Sequence, residues 1–391
     1  MEYLNEAFPH IERPFAWLDL TALDENIQAV NEACGDKKVR IATKSIRSVE
    51  VLRYLQQQLT NCSGFMTFTA AETLYLLEQG LDHLLLGYPS FEHQPLYDIA
   101  HYVAQGRDVT FMVDSVDQVK LLQKVAHQTS TDFQICIDIN VSTDYKLLYF
   151  GTKRSPIHSM ETLTQFLQQL QQFECIRVVG CMAYDAQIAG VTDQTDAFFG
   201  LKSKLIQSLK RDAFPKITRL RQQLVAHVKY YYDLQFVNAG GTGSMALLKL
   251  ARDVTEITVG SAFFAPALFS QYEALQLQPA AGFALTITRK FSEDIIVCHG
   301  GGYVASGAVG KDKQPQFLEP DVYELTSLEG AGEVQTPIIV KGRRHDIGDT
   351  VYLRHAKAGE LCERFKQLQV TRNGQYIGAI STYRGDGQCF L

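Results

Sequence analysis

VNAGGTGSMALLKLA, residues 237–251, opens as an apolar strand, breaks at a run of glycines and resumes as a helix. Gly240, Gly241 and Gly243 let a backbone approach an anion closely, and the helix start turns amide groups toward it. Thr242 and Ser244 add hydroxyl donors. A tight strand-to-helix turn with no ligand has the same appearance, so the place of this unit among its neighbours has to decide between the two.

Working outward, the same alternation of strand and helix extends from about residue 39 to 264. Strands are predicted at 39–44, 64–69, 83–89, 109–114, 133–140, 176–184, 235–241 and 254–261. The stretches between them, such as SVEVLRYLQQQL, AAETLYLLEQG and METLTQFLQQLQQF, repeat apolar residues at helical spacing. Eight such strands predict an α/β fold, a (β/α)8 TIM barrel, rather than an open sheet. In such a barrel a phosphate is held by the loops after the seventh and eighth strands, which is where VNAGGTGS and the turn Gly260-Ser261 fall.

After about residue 280 the texture changes to strand-like runs with glycine turns, among them ALTITRK, DIIVCHGGGYVASG and KQLQVTRNGQYIGAIS, so a second, mostly β C-terminal domain is expected. FAWLDL, near the start, is one strand too many for the barrel, and a helix with Thr21 as its N-cap follows it. The surplus strand points to a discontinuous β domain. Boundaries are expected at 1–15 plus 281–391 around a barrel of 16–280.

The 391 residues carry a formal charge of -6, with Lys and Arg scattered and no basic block, which argues against a nucleic-acid partner and for a small molecule. No apolar run approaches the roughly 18 residues of a membrane span. The opening MEYLNEAFPHIERP lacks a basic-then-apolar leader pattern, so a cytoplasmic protein is expected. None of the eight cysteines forms a C-x-x-C pair. Cys136 and Cys181 lie in apolar runs and read as small hydrophobes.

Lys44 ends the first barrel strand in Arg40-Ile41-Ala42-Thr43-Lys44. Apolar neighbours can lower the pKa of such an amine and make it nucleophilic toward an aldehyde. An amine and a phosphate cradle on one barrel mouth are what pyridoxal 5'-phosphate requires.

The chain resembles the fold-type III pyridoxal-phosphate enzymes, the alanine racemase-like group, and within it the D-threonine aldolase and D-serine dehydratase branch. WLDLTALDENI looks like that group's entry strand and helix, and Arg40 to Lys44 looks like its cofactor-lysine strand. VNAGGTGS and TEITVGSAFF look like its two phosphate turns. AYDAQIAG, LEGAGEVQTP, RHAKAGELCERF and STYRGDG are similar to strings in proteins described as amino acid deaminase/aldolase.

The resemblance implies Lys44 as carrier of the cofactor Schiff base and as base at the substrate's α-carbon. It implies Gly241, Thr242, Gly243, Gly260 and Ser261 at the phosphate, and Tyr184 near the cofactor as a hydrogen-bonding or proton-relaying group. Gln187 stands where relatives often have histidine. Arg154 or Lys146 would face the pyridine nitrogen, and Arg154 is preferred because a guanidinium stays charged and leaves that nitrogen unprotonated. The branch's metal-binding His-x-Cys or His-x-Asp pair is absent. The corresponding turn offers His355, Glu360 and Cys362, with His299 nearby, as ligands for a divalent ion such as zinc or manganese.

The implied activity is a lyase that cleaves a β-hydroxy D-amino acid by a retro-aldol step, or dehydrates and deaminates it. One alternative is an amino acid racemase, with Tyr303 or Tyr383 of a partner subunit as second base. Another is a non-catalytic pyridoxal-phosphate carrier, against which the long β domain argues. A homodimer, each β domain capping the other barrel, is the implied assembly.

Overall fold

A computed structural model describes residues 2–146, 148–193, 201–272, 276–307 and 310–391. All eight expected strands are present, at Lys38–Ala42, Cys62–Thr67, Leu84–Leu86, Val109–Val113, Phe133–Asp138, Ile176–Ala183, Phe236–Ala239 and Glu256–Val259. They form a closed barrel, and its neighbours pair in parallel. The eighth strand closes it on the first, with Thr258 opposite Arg40 and Val259 opposite Ile41. Each strand stops one to three residues before its expected end, because the last residues turn out of the ladder to form the mouth.

Alternation along the strands divides the core in two. Outward residues such as Ile41, Phe65, Leu84, Phe111, Ile135 and Ile257 join the helices in one large apolar cluster. Met66, Leu85, Met112 and Cys136 form a separate cluster inside the barrel, with Met182 and Phe236 against it. Cys136 and Cys181 are both buried there or in the outer core, as small hydrophobes. Helices lay their apolar faces on the barrel, as Val49, Val51, Leu52 and Leu55 do in the helix Val49–Gln58.

The lumen also holds a polar set. Arg40 grips Glu256 with two bonds, of 2.7 and 3.0 Å, and donates to the carbonyls of Phe65 and His83. Asn238 donates to Glu256 at 2.7 Å and to Thr258 at 2.8 Å. The Arg40 charge and these bonds hold the Glu256 carboxyl below the usual range although burial opposes them.

Strand Phe15–Asp19 lies in the β sheet, antiparallel to Ala281–Lys290 and parallel to Gln367–Arg372. The sheet runs in the order Tyr323–Leu325, Gln335–Val340, Ile295–His299, Ala281–Lys290, Phe15–Asp19, Gln367–Arg372, Gln375–Ser381. Thr350–Arg354 also pairs with Ala281–Lys290. The chain enters the barrel through the helix Leu20–Cys34, whose cap is Asp19 and not the expected Thr21: the Asp19 carboxylate accepts from the Thr21 amide at 2.9 Å. Capping by the last strand residue couples the sheet directly to the first barrel helix.

The two parts are joined beside the first barrel strand. Ser48 Oγ donates to the Ser381 carbonyl at 2.6 Å, the Tyr383 amide donates to the Arg47 carbonyl at 2.8 Å, and Arg47 pairs with Glu363 at 2.6 Å. Tyr383 is buried, and its hydroxyl donates to the buried Glu72 carboxyl at 2.9 Å. That placement removes Tyr383 as a base offered to a partner's substrate, since the STYRGDG ending folds back onto its own barrel. Burial pushes Glu72 up to about 7, against bonds from the Phe68 amide, Thr43 and Tyr383.

Two outcomes follow from this packing. Arg40→Leu strands a buried carboxylate and is expected to destabilise the protein by about 3–5 kcal/mol, while pairing it with Glu256→Leu recovers most of the loss. Urea denaturation of both variants checks this; equal losses would refute a charge-pair origin. Glu72, raised above its unfolded value, contributes stability fully present below the ordinary carboxylate range and lost as pH rises toward about 7. Thermal melts across that window should therefore show a shallower decline for Glu72→Gln than for the parent, and parallel profiles would contradict the assignment.

Candidate active site

Lys44 sits in the single turn Thr43–Ser45 that follows the first barrel strand. Its amine is exposed at the mouth, not sunk among apolar neighbours, and lies 2.6 Å from the hydroxyl of Tyr88. Tyr88 follows the third strand in LLLGYPS and was not singled out from sequence. The backbone beneath Lys44 is well held: Thr43 Oγ1 donates to the Met66 carbonyl at 2.9 Å, and the Ile46 and Arg47 amides return to the Thr43 carbonyl.

Next to this turn stand the two anion-binding candidates. A Cβ on Gly260 would come within 2.6 Å of Ser45 Oγ and 2.9 Å of Ala42 Cβ, so only glycine lets the eighth-strand turn close on the Lys44 turn. The Ala262 amide donates to Thr242 Oγ1 at 3.0 Å and ties the seventh- and eighth-strand turns together. Among the described residues, the amides of Thr242 and Gly243 have no protein acceptor. Gly243 lies directly under the Tyr272 ring, whose hydroxyl donates to the Ala189 carbonyl at 2.7 Å. The helix after the turn is a single turn, Met245–Leu248, and not the longer one expected. Free amides and hydroxyls, more than a helix dipole, are therefore what this cradle offers an anion.

Tyr184 follows the sixth strand and reaches the same place; a Cβ on Gly241 would lie 3.5 Å from its ring. Burial and then Asp185 push its hydroxyl up to about 12, and Arg154 opposes them. Asp185 itself is fully buried, takes a bond from Ser244 Oγ at 3.1 Å and leaves Oδ2 unpartnered. Burial raises that carboxyl to about 7. Gln187 is buried and donates to the Val141 carbonyl at 2.9 Å, pinning the loop after the fifth strand, while its Oε1 has no partner.

Arg154 is exposed and stands within electrostatic reach of Tyr184 and of Asp138, at the end of the fifth strand. Burial and the charge of Asp114 push Asp138 up to about 7, and Arg154 draws it down. This carboxyl pair, one strand apart, was also not singled out from sequence; its only signal was an aspartate closing each of two adjacent strands. Lys146 is exposed and follows the short strand Thr143–Asp144, which pairs with Tyr149–Phe150.

The expected metal ligands do not converge. His355 is buried against Phe264, and burial with the Arg354 charge lowers its pKa to about 3, opposed by a bond to the Ala281 backbone. Cys362 belongs to the short helix Glu360–Arg364 and points into the apolar core, its thiol pushed up to about 12 by burial. His299 is exposed, and Glu360 accepts from the Ser306 amide at 2.7 Å. Among the described residues no three His, Cys, Asp or Glu side chains gather to hold a metal ion. Tyr303 packs edge-on against Phe283 and Phe365, at 4.8 and 5.3 Å, within its own β domain.

No helix among the described residues is long and apolar enough to cross a membrane. Comparison with curated proteins finds no match. The fold is similar to that of D-threonine aldolase from Filomicrobium marinum, with a TM-score of 0.80 and 15% identity over 97% of this chain and 96% of that one. D-threo-3-hydroxyaspartate dehydratase from Delftia sp. HT23 gives a TM-score of 0.72 and 15% identity over 96% of this chain and 98% of that one. Alanine racemase from Clostridium difficile 630 gives 0.67 and 13% over 95% and 99%. The family model described as alanine racemase, N-terminal domain, matches residues 18–265, and the chain belongs to that family, within the fold-type III pyridoxal-phosphate enzymes.

Proposed function

We propose that this chain is a pyridoxal-phosphate lyase acting on a β-hydroxy D-amino acid, by retro-aldol cleavage or by dehydration with deamination. The observation that carries the reading is the contact between the Lys44 turn and the Gly260 turn, which sets an exposed amine beside an anion cradle. The cradle fits a phosphate: it has free amides at Thr242 and Gly243, flanking hydroxyls, and glycines where a side chain would obstruct. When bound, pyridoxal phosphate supplies an electron sink for charge developing at the substrate's α-carbon.

In this reading the chain's own groups have distinct tasks. Lys44 Nζ holds the cofactor's aldehyde carbon and moves the proton at the α-carbon, with the Tyr88 hydroxyl orienting it. Gly241, Thr242, Gly243, Gly260 and Ser261 hold the phosphate, with the Tyr184 ring beside Gly241. Tyr184 carries a hydroxyl kept protonated at neutral pH, suited to donating a hydrogen bond. Arg154 would supply a permanent cation toward the cofactor's ring nitrogen, which would weaken the sink and favour limited chemistry at the α-carbon. Gln187 acts through the Val141 loop, at a distance from the reacting atoms. Two of the structurally similar proteins are named for reactions of D-threonine and D-threo-3-hydroxyaspartate, both β-hydroxylated D-amino acids. The same reading includes a homodimer.

Borohydride reduction of the loaded protein followed by peptide mass analysis is expected to place the pyridoxyl mass on Lys44. Lys44→Ala should abolish it and lower turnover by at least about 10³-fold. A panel of D- and L-amino acids should release aldehyde, or ammonia with a keto acid, from β-hydroxy D-substrates. Loss of optical activity with no product release would instead identify a racemase, and an absorbance band indifferent to every amino acid would identify a carrier.

A further inference from the structure

The turn 355–359 of the β domain is fastened over the barrel mouth. The Ala267 amide donates to the His355 carbonyl and the Leu268 amide to the Ala356 carbonyl, each at 3.0 Å. Gly359, at φ +87°, lies directly on the Lys44 carbonyl, where no Cβ would fit. Between these anchors stands Lys357, exposed.

The charges acting on Lys357 are mostly its own sign: Lys44, Lys313 and Arg154, with Glu360 the one carboxylate opposing them. Glu360 is engaged by the Ser306 amide, Lys313 is paired with Asp312, and Lys44 is bonded to Tyr88. Among the described residues Lys357 and Arg154 have neither a hydrogen bond nor an ion pair. Burial and these three cations lower the pKa of the Lys357 ammonium. An ammonium held on this turn among like charges gives the mouth a positive field that favours an arriving anion. The phosphate cradle does not need it, since that cradle is made of amides and hydroxyls on the seventh- and eighth-strand turns.

We propose that Lys357 is a substrate-binding residue that holds a carboxylate of the incoming amino acid over the Lys44 turn. The inference rests on the function proposed above. Every amino acid brings an α-carboxylate and a dicarboxylic one brings a second, with the same chemistry toward an ammonium.

Calorimetric titration of the pyridoxal-phosphate-loaded protein with propionate and with succinate separates the sources. Lys357→Met is expected to weaken binding by about tenfold or more, and Lys357→Arg to retain most of it. An equal loss for both anions assigns Lys357 to the α-carboxylate, and a larger loss for succinate assigns it to a side-chain carboxylate. Wild-type affinity in a folded Lys357→Met that still carries its cofactor on Lys44 by borohydride reduction overturns the inference alone, as does a wild type that binds neither anion. Absence of cofactor from Lys44 in the wild type would overturn the functional reading, and this inference with it.

Discussion

The pairing of the eighth barrel strand with the first is the constraint on which the mouth depends. Glu256–Val259 lies parallel to Lys38–Ala42, and the buried Arg40–Glu256 pair spans the same seam from inside. Because two parallel strands end side by side, their following turns must share space, and Gly260 against Ser45 is how they do so. The anion cradle and the lysine therefore need no long reach across a barrel; closure makes them neighbours. An ion pair in an apolar lumen is a weak source of stability but a strong source of register, since a slip of the seam would leave two charges unpaired.

A second constraint is the docking of the β domain on that same seam. Arg47, three residues past Lys44, donates to the Lys44 carbonyl at 3.0 Å and also pairs with Glu363. The β domain is thus coupled to the lysine turn twice, through Arg47 and through Gly359. Strand Phe15–Asp19 explains why the domain is discontinuous: it stands between Ala281–Lys290 and Gln367–Arg372, so the sheet is incomplete without the start of the chain.

Much of this was legible in the sequence because it rests on local signals. Eight apolar runs at barrel spacing, a glycine turn after the seventh and a lysine at the end of the first are properties of consecutive residues, and all eight strands occur. The unread parts depend on which distant residues meet. Tyr88 becomes Lys44's partner only when the third strand is set two places from the first, and Asp114 and Asp138 become a pair only through adjacency of strands. His355, Glu360 and Cys362 carry metal-ligand chemistry in one short stretch, but the helix Glu360–Arg364 separates them, and spacing alone does not show the turn's direction. Tyr383 looked available near the end of the chain and is buried by a contact with Glu72, more than three hundred residues away in sequence.

Burial then gives the mouth a charge opposite to that of the molecule. The chain carries a formal -6, yet two carboxyls around the mouth, Asp138 and Asp185, are pushed up to about 7 by desolvation, so near neutral pH each is partly protonated. Lys44, Arg154 and Lys357 stand on the open side, and Arg154 and Lys357 are without counter-ions among the described residues. Carboxyls that lose charge through burial beside these cations leave a local positive field in an acidic protein. Such a field attracts a phosphorylated cofactor and a carboxylate-bearing substrate to one opening, and the glycines at 241, 243 and 260 leave the backbone close enough to receive them.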